Sequence, residues 1–157
     1  GRIVVLNGFP GTGKLTILQR AKEVLHSTPT PCILLDNHLL IDPVVAILPD
    51  RDEEHHELRR RIRAPVFQKL RQRAREGCTV LMTACLAQNI RRDADLLEEH
   101  FDLLRGSDIP LIWVNVSCEQ TILEERLRSP ERHMGTKTKL TDLSVLRRLI
   151  CEHRLIE

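Results

Sequence analysis

One short stretch near the start of the chain constrains its fold more than any other. Glycine stands at positions 8, 11 and 13, Lys14 follows, and residues 3–6 before it are all apolar. Apolar residues then recur at helical spacing, at positions 17, 18, 21, 24 and 25. Glycine permits backbone angles that let successive N–H groups converge on an anion at the positive end of a helix. The stretch therefore predicts a strand, a phosphate-binding loop (residues 8–16) and a helix, with the Lys14 ammonium beside the β- and γ-phosphates of a nucleotide.

Position 15 departs from the usual form of such a loop. Ser or Thr normally supplies a hydroxyl to Mg²⁺ there, whereas this chain has Leu15. Thr16 follows, but a helix turns by about 100° per residue, so its hydroxyl does not simply occupy the missing place. Either the metal is held through water and other carboxylates, or metal binding is weak. The loop thus predicts nucleotide binding better than it predicts turnover.

Composition bounds the class of protein. A chain of 157 residues with 41% hydrophobic and 29% charged residues suits one globular domain, spanning residues 1–157. A net charge of +2 does not indicate a polyanionic partner, and three Phe, one Trp and no Tyr give little support for a base-stacking platform. No stretch approaches the roughly 18 apolar residues of a membrane span. Five cysteines without a C-x-x-C pair predict reduced, small core residues of a cytoplasmic protein.

Strands and helices are predicted to alternate along the chain. Apolar runs predict further strands at 32–35, 79–84 and 111–116, and amphipathic patterns predict helices at 52–76, 93–104 and 142–155. We expect Pro65 to kink or divide the first of these helices, and a turn or short helix to start at Asp42. In the second, residues 96, 97, 101 and 104 should face inward, and Ser117 with Gln120 predicts a capping box before another helix. The fold class is therefore α/β, a three-layer arrangement with a parallel sheet of four or five strands flanked by helices.

Polar residues follow two of these strands, where open parallel sheets place their ligands. Asp36 ends the second strand and is either a base for a hydroxyl substrate or a turn or helix-cap residue. His38 is expected in the pocket wall. Arg91 and Arg92 lie in the predicted loop after the third strand, which ends without the acid that often assists a metal.

Two basic regions each allow two interpretations. The arginines of residues 59–75 form either a solvated helix face, which we favour, or a nucleic-acid surface. The breaker-rich segment at about 128–140 is either a mobile lid closing over phosphates, which we favour, or a soluble connector.

In the order of these parts nearly the whole chain resembles the P-loop small-molecule kinases, the group of shikimate, gluconate and nucleoside-monophosphate kinases and chloramphenicol phosphotransferase. The sequence Gly-Lys-Leu-Thr at 13–16 also resembles the loop of P-loop proteins assigned as AAA-type ATPases. The resemblance implies that Asp36 orients or deprotonates the acceptor hydroxyl, that Arg91 or Arg92 holds the acceptor, and that lid arginines meet the nucleotide phosphates. It also implies a fifth parallel strand, so we expect the C-terminal strand to be missing. The predicted site residues are Lys14, Asp36 and Arg132 for catalysis, Gly8, Gly11, Thr12, Gly13, Lys14, Leu15, Thr16 and Arg126 for the nucleotide, and Asp36, His38, Arg91 and Arg92 for the substrate.

The leading hypothesis is an ATP-dependent enzyme that moves the γ-phosphoryl group to a hydroxyl of a small molecule, with Mg²⁺ as its metal. Thr16 and Asp36 are the candidates for metal contact. A nucleotide-binding or regulatory module without efficient chemistry is the first alternative, because of Leu15. A kinase acting on the 5′-hydroxyl of a polynucleotide is the second, because of the arginines at 59–75. The chain lacks an N-K-x-D motif, which favours adenine over guanine nucleotides.

Overall fold

A computed structural model describes residues 1–27, 29–134 and 137–157. Over these residues strands and helices follow one another much as predicted. In chain order the elements are β1 (Arg2–Asn7), α1 (Lys14–His26), β2 (Cys32–Leu35), α2 (His38–Val45), α3 (Glu53–Arg75), β3 (Thr79–Ala84), α4 (Arg91–Asp102), β4 (Leu111–Asn115), α5 (Gln120–Arg128), α6 (Pro130–His133) and α7 (Leu143–Glu152). None of the helices described is both long and apolar enough to cross a bilayer.

The strands form one parallel sheet in the order β2-β3-β1-β4. The register pairs Asn7, the last residue of β1, with Ala84 at the end of β3 and with Asn115 at the end of β4. All four strands therefore finish at the same edge. Because β1 is central, the phosphate-binding loop leaves from the middle of that edge, between the ends of its neighbours. This confirms the predicted α/β class with a parallel sheet.

Apolar side chains cover both faces of the sheet. Alternate residues of a strand point to opposite faces, so Ile3 and Val5 join one cluster with Phe67 of α3, whereas Leu6 joins another with Leu18 of α1. A third cluster of Leu123, Leu127 and Leu146 holds α5 against α7. The helices thus form the two outer layers that the sequence predicts.

Several helix boundaries differ from the predictions. Helix α2 begins at His38, four residues before the expected turn, and contains Pro43. Helix α3 runs through Pro65 without being divided, because buried residues lie on both sides of the proline, among them Arg63 and Phe67. The last helix, α7, ends at residue 152 and not at 155.

The predicted capping box is wrong. Helix α5 begins only at Gln120, and the residue that precedes it, Glu119, makes no side-chain capping bond. The Gln120 amide donates instead to Glu124 Oε1 at 2.8 Å, one turn along the helix. An intrahelical partner has therefore replaced the backward contact that Ser117 was expected to share.

Helix α4 presents a different face from the predicted one. Leu96, Leu97 and Leu104 pack against the core as expected, but Phe101 is exposed. His100 is buried in its place, with ring centroids 5.0 Å from Phe67 and 5.8 Å from Trp113. Its Nδ1 lies 2.7 Å from the carbonyl of Leu96, so the ring keeps a polar partner in an apolar setting, which hydropathy alone does not predict.

The cysteines are free, as expected, but they are not all core residues. Cys78 is buried directly before β3, whereas Cys151 is exposed on α7. The helical stripe of α7 faces α5 through Leu146, and position 151 lies outside it. The core prediction is therefore wrong for Cys151.

A buried side chain joins the ends of the strands. The amide nitrogen of Asn7 donates to the Leu86 carbonyl at 3.1 Å and to Asn115 Oδ1 at 3.0 Å, and its oxygen accepts from the Leu86 N–H at 2.7 Å. Asn115 in turn donates to the Ile156 carbonyl at 2.9 Å. Residues 154–156 also run antiparallel to residues 86–88, with an isolated bridge between Ala87 and Leu155. Within the described ranges this segment lies beside the continuation of β3, and the sheet has four strands.

Replacing Asn7 with Ala should lower the free energy of unfolding by about 2–4 kcal/mol, because it leaves the buried Leu86 N–H without its partner and removes one of the two donors to the Leu86 carbonyl, the other being the Ile156 N–H. Urea denaturation followed by circular dichroism measures this loss. The exposed Gln19 of α1, changed to Ala, is the control and should change stability by less than about 0.5 kcal/mol. A loss in Asn7→Ala no larger than that in the control would contradict the role given to the amide.

Candidate active site

A cleft of ≈ 1410 Å³ lies along the carboxyl edge of the sheet. Much of its wall comes from the phosphate-binding loop, residues 36–38 after β2, residues 83–86 at the end of β3, and a basic region that includes Arg126 and Arg132. Side chains of α3 and α4 close the far side. The structure thus brings into one space most of the residues that the sequence predicts for nucleotide and substrate.

Two of the three glycines of the phosphate-binding loop adopt the backbone angles expected of them, and Gly8 is not among the residues with a positive φ. Gly11 and Gly13 have φ angles of 93° and 87°, a left-handed conformation that other residues rarely adopt. Gly13 is the residue that precedes α1, so the loop delivers its N–H groups directly to the positive end of that helix. Thr12 is buried and its hydroxyl donates to the Phe9 carbonyl at 2.9 Å, which braces the bend.

Lys14 extends back over the loop. Its Nζ lies 2.5 Å from the Gly8 carbonyl and 3.0 Å from that of Phe9. Burial lowers the pKa of Lys14, the charge of Arg132 acts in the same direction, and Cys85 and Asp36 oppose both. The ammonium is therefore held inside the loop, where a phosphate oxygen would be a stronger partner than a carbonyl.

The residues around the loop do not fit a Mg²⁺ ion held by the protein. Leu15 and Thr16 both line the cleft, but Leu15 has no oxygen and the Thr16 side chain is exposed. Asp93 faces the same cleft, and one of its oxygens accepts from the Ala87 N–H at 2.8 Å. No group of three His, Cys, Asp or Glu side chains in the part of the chain described could hold a metal. Asp36, one of the two predicted candidates for metal contact, belongs to no such group, and Thr16, the other, has an exposed side chain.

Asp36 is buried at the end of β2 and both its oxygens have partners. Oδ1 accepts from the Thr83 hydroxyl at 3.1 Å and weakly from the His38 N–H at 3.4 Å, and Oδ2 lies 2.7 Å from Lys137 Nζ. Burial raises the pKa of Asp36, but the hydrogen bond and charge of Lys137, together with His38, outweigh it and leave this pKa below its usual value. An ionised carboxylate therefore faces the cleft. The hydrogen bond from the His38 N–H to this carboxylate is longer than those from Thr83 and Lys137.

Two arginines lie on the loop side of the cleft, Arg126 just before the predicted lid and Arg132 within it. Arg126 donates to the Gly11 carbonyl at 3.0 Å, so it contacts the phosphate-binding loop directly. Arg132 donates to the Leu140 carbonyl at 2.7 Å, and burial lowers its pKa. The segment predicted as a lid, 128–140, comprises the end of α5, α6 and the residues that follow; positions 135 and 136 lie outside the described residues.

The predicted substrate residues are only partly brought together. His38 lines the cleft, with Nδ1 3.5 Å from Asp42 Oδ1. Arg92 also lines it and pairs with Glu53 at 2.7 Å. Arg91 is not among the residues that line the cleft. Both arginines begin α4 and do not belong to the preceding loop, so the helix directs them differently from the expectation.

Arg59 is a cleft residue that the sequence reasoning missed. It lies on α3, and its Nε is buried without a hydrogen-bond partner among the described residues. Burial lowers the pKa of Arg59 to about 10, and the neighbouring cations Arg63 and Arg51 contribute. Arg63 itself is engaged, because it forms two bonds to Glu99 of α4 at 2.5 and 2.6 Å. The spacing of positions 59 and 63, one helical turn, is the sequence signal that could have indicated this cationic patch.

The remaining arginines of α3 are largely paired within the chain. Arg60 and Arg61 both bond to Glu57, and Arg73 bonds to Glu76. Two others donate to backbone carbonyls of the loop after α4, Arg71 to that of residue 105 and Arg75 to that of residue 106. This pairing favours the interpretation of a solvated helix face over that of a nucleic-acid surface.

Comparison with known proteins identifies the family and the fold of the chain. A family model for an AAA domain matches residues 4–143, whereas no curated protein matches the chain. The chain is similar to a candidate kinase from Chloroflexus aurantiacus j-10-fl, with a TM-score of 0.59, 20% identity, and coverage of 92% of this chain and 74% of that one. It is also similar to an unliganded sugar kinase from Janibacter sp. HTCC2649, with a TM-score of 0.59, 16% identity, and coverage of 99% and 79%.

A third similar structure is a chain of the Pnkp1/Rnl/Hen1 complex, with a TM-score of 0.51, 16% identity, and coverage of 88% of this chain. The present chain spans only 43% of the length of that one. At these identities the structural likeness shows the fold alone, while the family match covers most of the sequence. The chain therefore belongs to the AAA domain family of P-loop nucleoside triphosphatases, and its fold is that of the P-loop kinases.

Proposed function

We propose that the protein transfers the γ-phosphoryl group of ATP to a hydroxyl group of a small molecule. The observation that carries this proposal is the placement of an ionised, buried Asp36 in the same cleft as the phosphate-binding loop. The two are close enough for the charge of Asp36 to act on Lys14. Asp36, as a base for the acceptor hydroxyl, and the phosphate-binding loop, as the site for ATP, therefore face the same cleft.

The chemistry that this arrangement supports is an in-line displacement. The acceptor oxygen forms a bond to the γ-phosphorus, the bond from that phosphorus to the β–γ bridging oxygen breaks, and ADP leaves. The acceptor's proton passes to Asp36, which needs to lie within hydrogen-bond reach of the hydroxyl. Phosphoryl transfer otherwise requires positioning and positive charge around the phosphoryl oxygens, for which Lys14, Arg126 and Arg132 are suited.

The acceptor side of the cleft supports a substrate that carries an anionic group. Arg59 presents a guanidinium without a described Nε partner, while its neighbour Arg63 is already satisfied by Glu99. Planar guanidinium groups bind carboxylates and phosphates through two parallel hydrogen bonds. Arg59 is therefore a better candidate for the acceptor contact than Arg91, and Arg92 would first have to leave Glu53.

A nucleotide-binding module without efficient chemistry is the second candidate. Two features favour it: Leu15 removes the hydroxyl that usually contacts Mg²⁺, and β3 ends in Thr83 and Ala84 where an acid would assist the metal. The polynucleotide kinase alternative draws less support, because most α3 arginines already have partners within the chain.

Changing Lys14 to Ala should reduce phosphoryl transfer by at least about 10²-fold, because it removes a preorganised positive charge from the phosphate-binding loop. Transfer of label from γ-labelled ATP to a broad panel of metabolites measures the effect. Lys69→Ala, on the exposed side of α3, is the matched control and should transfer normally. If wild-type protein binds ATP but labels no acceptor in the panel, the module becomes the better description.

Changing Leu15 to Thr should make nucleotide binding about tenfold more dependent on Mg²⁺, equivalent to about 1.4 kcal/mol, because the added hydroxyl restores the usual contact of this loop with the metal. Calorimetric titration with ATP, with and without Mg²⁺, measures this difference. Leu15→Val has nearly the same shape as the Thr variant but no hydroxyl, and it should behave like wild type. Equal Mg²⁺ dependence in both variants would show that position 15 does not face the metal.

Changing Arg59 to Gln should raise KM for an acceptor found in the panel by about 10–100-fold, the equivalent of one charged hydrogen bond, and leave KM for ATP unchanged. Arg73→Gln removes an arginine of the same helix that is exposed, bonded to Glu76 and absent from the cleft lining, and it should leave both values unchanged. A parallel rise in KM for ATP would place Arg59 on the nucleotide side of the cleft.

A further inference from the structure

Residues 137–142, here called the strap, run along the cleft between α6 and α7. At one end the strap contacts the region around α2 through polar groups alone. Lys137 Nζ lies 2.7 Å from Asp36 Oδ2, and Thr138 donates to Asp42 through its hydroxyl and through its N–H, the latter at 3.2 Å. Neither contact buries an apolar side chain of the strap.

The other end of the strap is anchored differently. The Leu140 carbonyl accepts from Arg132 at 2.7 Å, and the Leu140 side chain packs against the cluster of Leu123, Leu127 and Leu146. Asp142 then caps α7, accepting from the Ser144 N–H at 2.7 Å. The strap is therefore fixed near Leu140 and held at residues 137 and 138 by bonds that water or a ligand could replace.

The two oxygens of Asp36 differ in what holds them. Oδ1 is bonded to Thr83 of β3 and to the start of α2, both of which belong to the packed fold. Oδ2 is bonded to Lys137 of the strap. The Asp36 side chain is only 8% exposed whereas that of Lys137 is 36% exposed, so the lysine covers the side from which the cleft reaches this oxygen.

We propose that Lys137 is a displaceable counterion of Asp36. Before transfer takes place, the acceptor hydroxyl must replace the Lys137 ammonium at Asp36 Oδ2. This inference rests on the proposed function, since it takes Asp36 as the group that meets the acceptor hydroxyl. While Lys137 holds Oδ2, a water molecule cannot readily take the acceptor's position beside the carboxylate. The ion pair thus protects ATP from hydrolysis until an acceptor is present.

Two other roles for Lys137 lead to different results. A cation that stabilises the phosphoryl group during transfer would be needed for hydrolysis as well, so its loss would slow the release of phosphate. A purely structural ion pair would affect unfolding and the local opening of the strap, but it would leave hydrolysis unchanged. A displaceable counterion predicts faster hydrolysis when it is removed.

The experiment compares the full chain with Lys137→Ala, Lys137→Arg and the matched control Lys69→Ala. Inorganic phosphate released from ATP without any acceptor should rise by about threefold to tenfold in Lys137→Ala, because water gains access to the carboxylate. Lys137→Arg keeps the charge and should stay near the wild-type rate, as should Lys69→Ala. Hydrogen exchange of the Thr138 amide, without nucleotide, should be about tenfold faster in Lys137→Ala alone, since the strap opens more often.

Unchanged or slower phosphate release in a folded Lys137→Ala protein would overturn the proposal, and so would an unchanged exchange rate of the Thr138 amide. If neither wild type nor any variant hydrolyses ATP, the claim that Lys137 protects ATP from hydrolysis is overturned, whereas the proposed function fails only if the wild type also labels no acceptor in the metabolite panel. The amide exchange then decides by itself whether Lys137 holds the strap: faster exchange in Lys137→Ala supports that contact, and equal exchange removes it.

Discussion

The buried amide of Asn7 is the contact on which the geometry of the cleft depends. Asn7 is the last residue of β1 and stands directly before the phosphate-binding loop. Its side chain bonds to Leu86 beyond β3 and to Asn115 at the end of β4, so one group fixes the ends of three neighbouring strands. Because a buried amide without partners is unfavourable, the loop cannot move far from the end of β3 without breaking these bonds. The sheet therefore sets the distance between the phosphate-binding loop and Asp36.

The charges of the cleft are arranged unevenly around this fixed edge. Lys14, Arg126 and Arg132 surround the phosphate-binding loop, and among the described residues they are bonded to backbone carbonyls and not to carboxylates. Asp36 has a cationic partner, and that partner comes from the strap. A polyphosphate would therefore find its counter-charges ready on the loop side, whereas the acceptor side must exchange one partner for another. This contrast distinguishes the two halves of the cleft.

Sequence predicted what depends on neighbouring residues and missed what depends on distant ones. The loop, its helix and the strands at 32–35 and 79–84 follow from local spacing, and the structure confirms them. The pair of Asp36 and Lys137 joins positions 101 residues apart, and no local pattern indicates it. Phe101 looked like the inward residue of α4 because hydropathy favours it, but packing against Phe67 and Trp113 selects His100. The roles of the site residues remain predictions, because they depend on contacts with ligands.

The position of the one tryptophan in the chain has a consequence for spectroscopy. Trp113 lies in β4, and its indole N–H donates a hydrogen bond to the Ile156 carbonyl at 3.3 Å. The same carbonyl accepts a hydrogen bond from the Asn115 side-chain amide. The emission of this single fluorophore therefore originates where the final residues meet the sheet. The emission wavelength of Trp113 should therefore report whether residues 154–156 are packed beside the sheet, without any dye or label being attached.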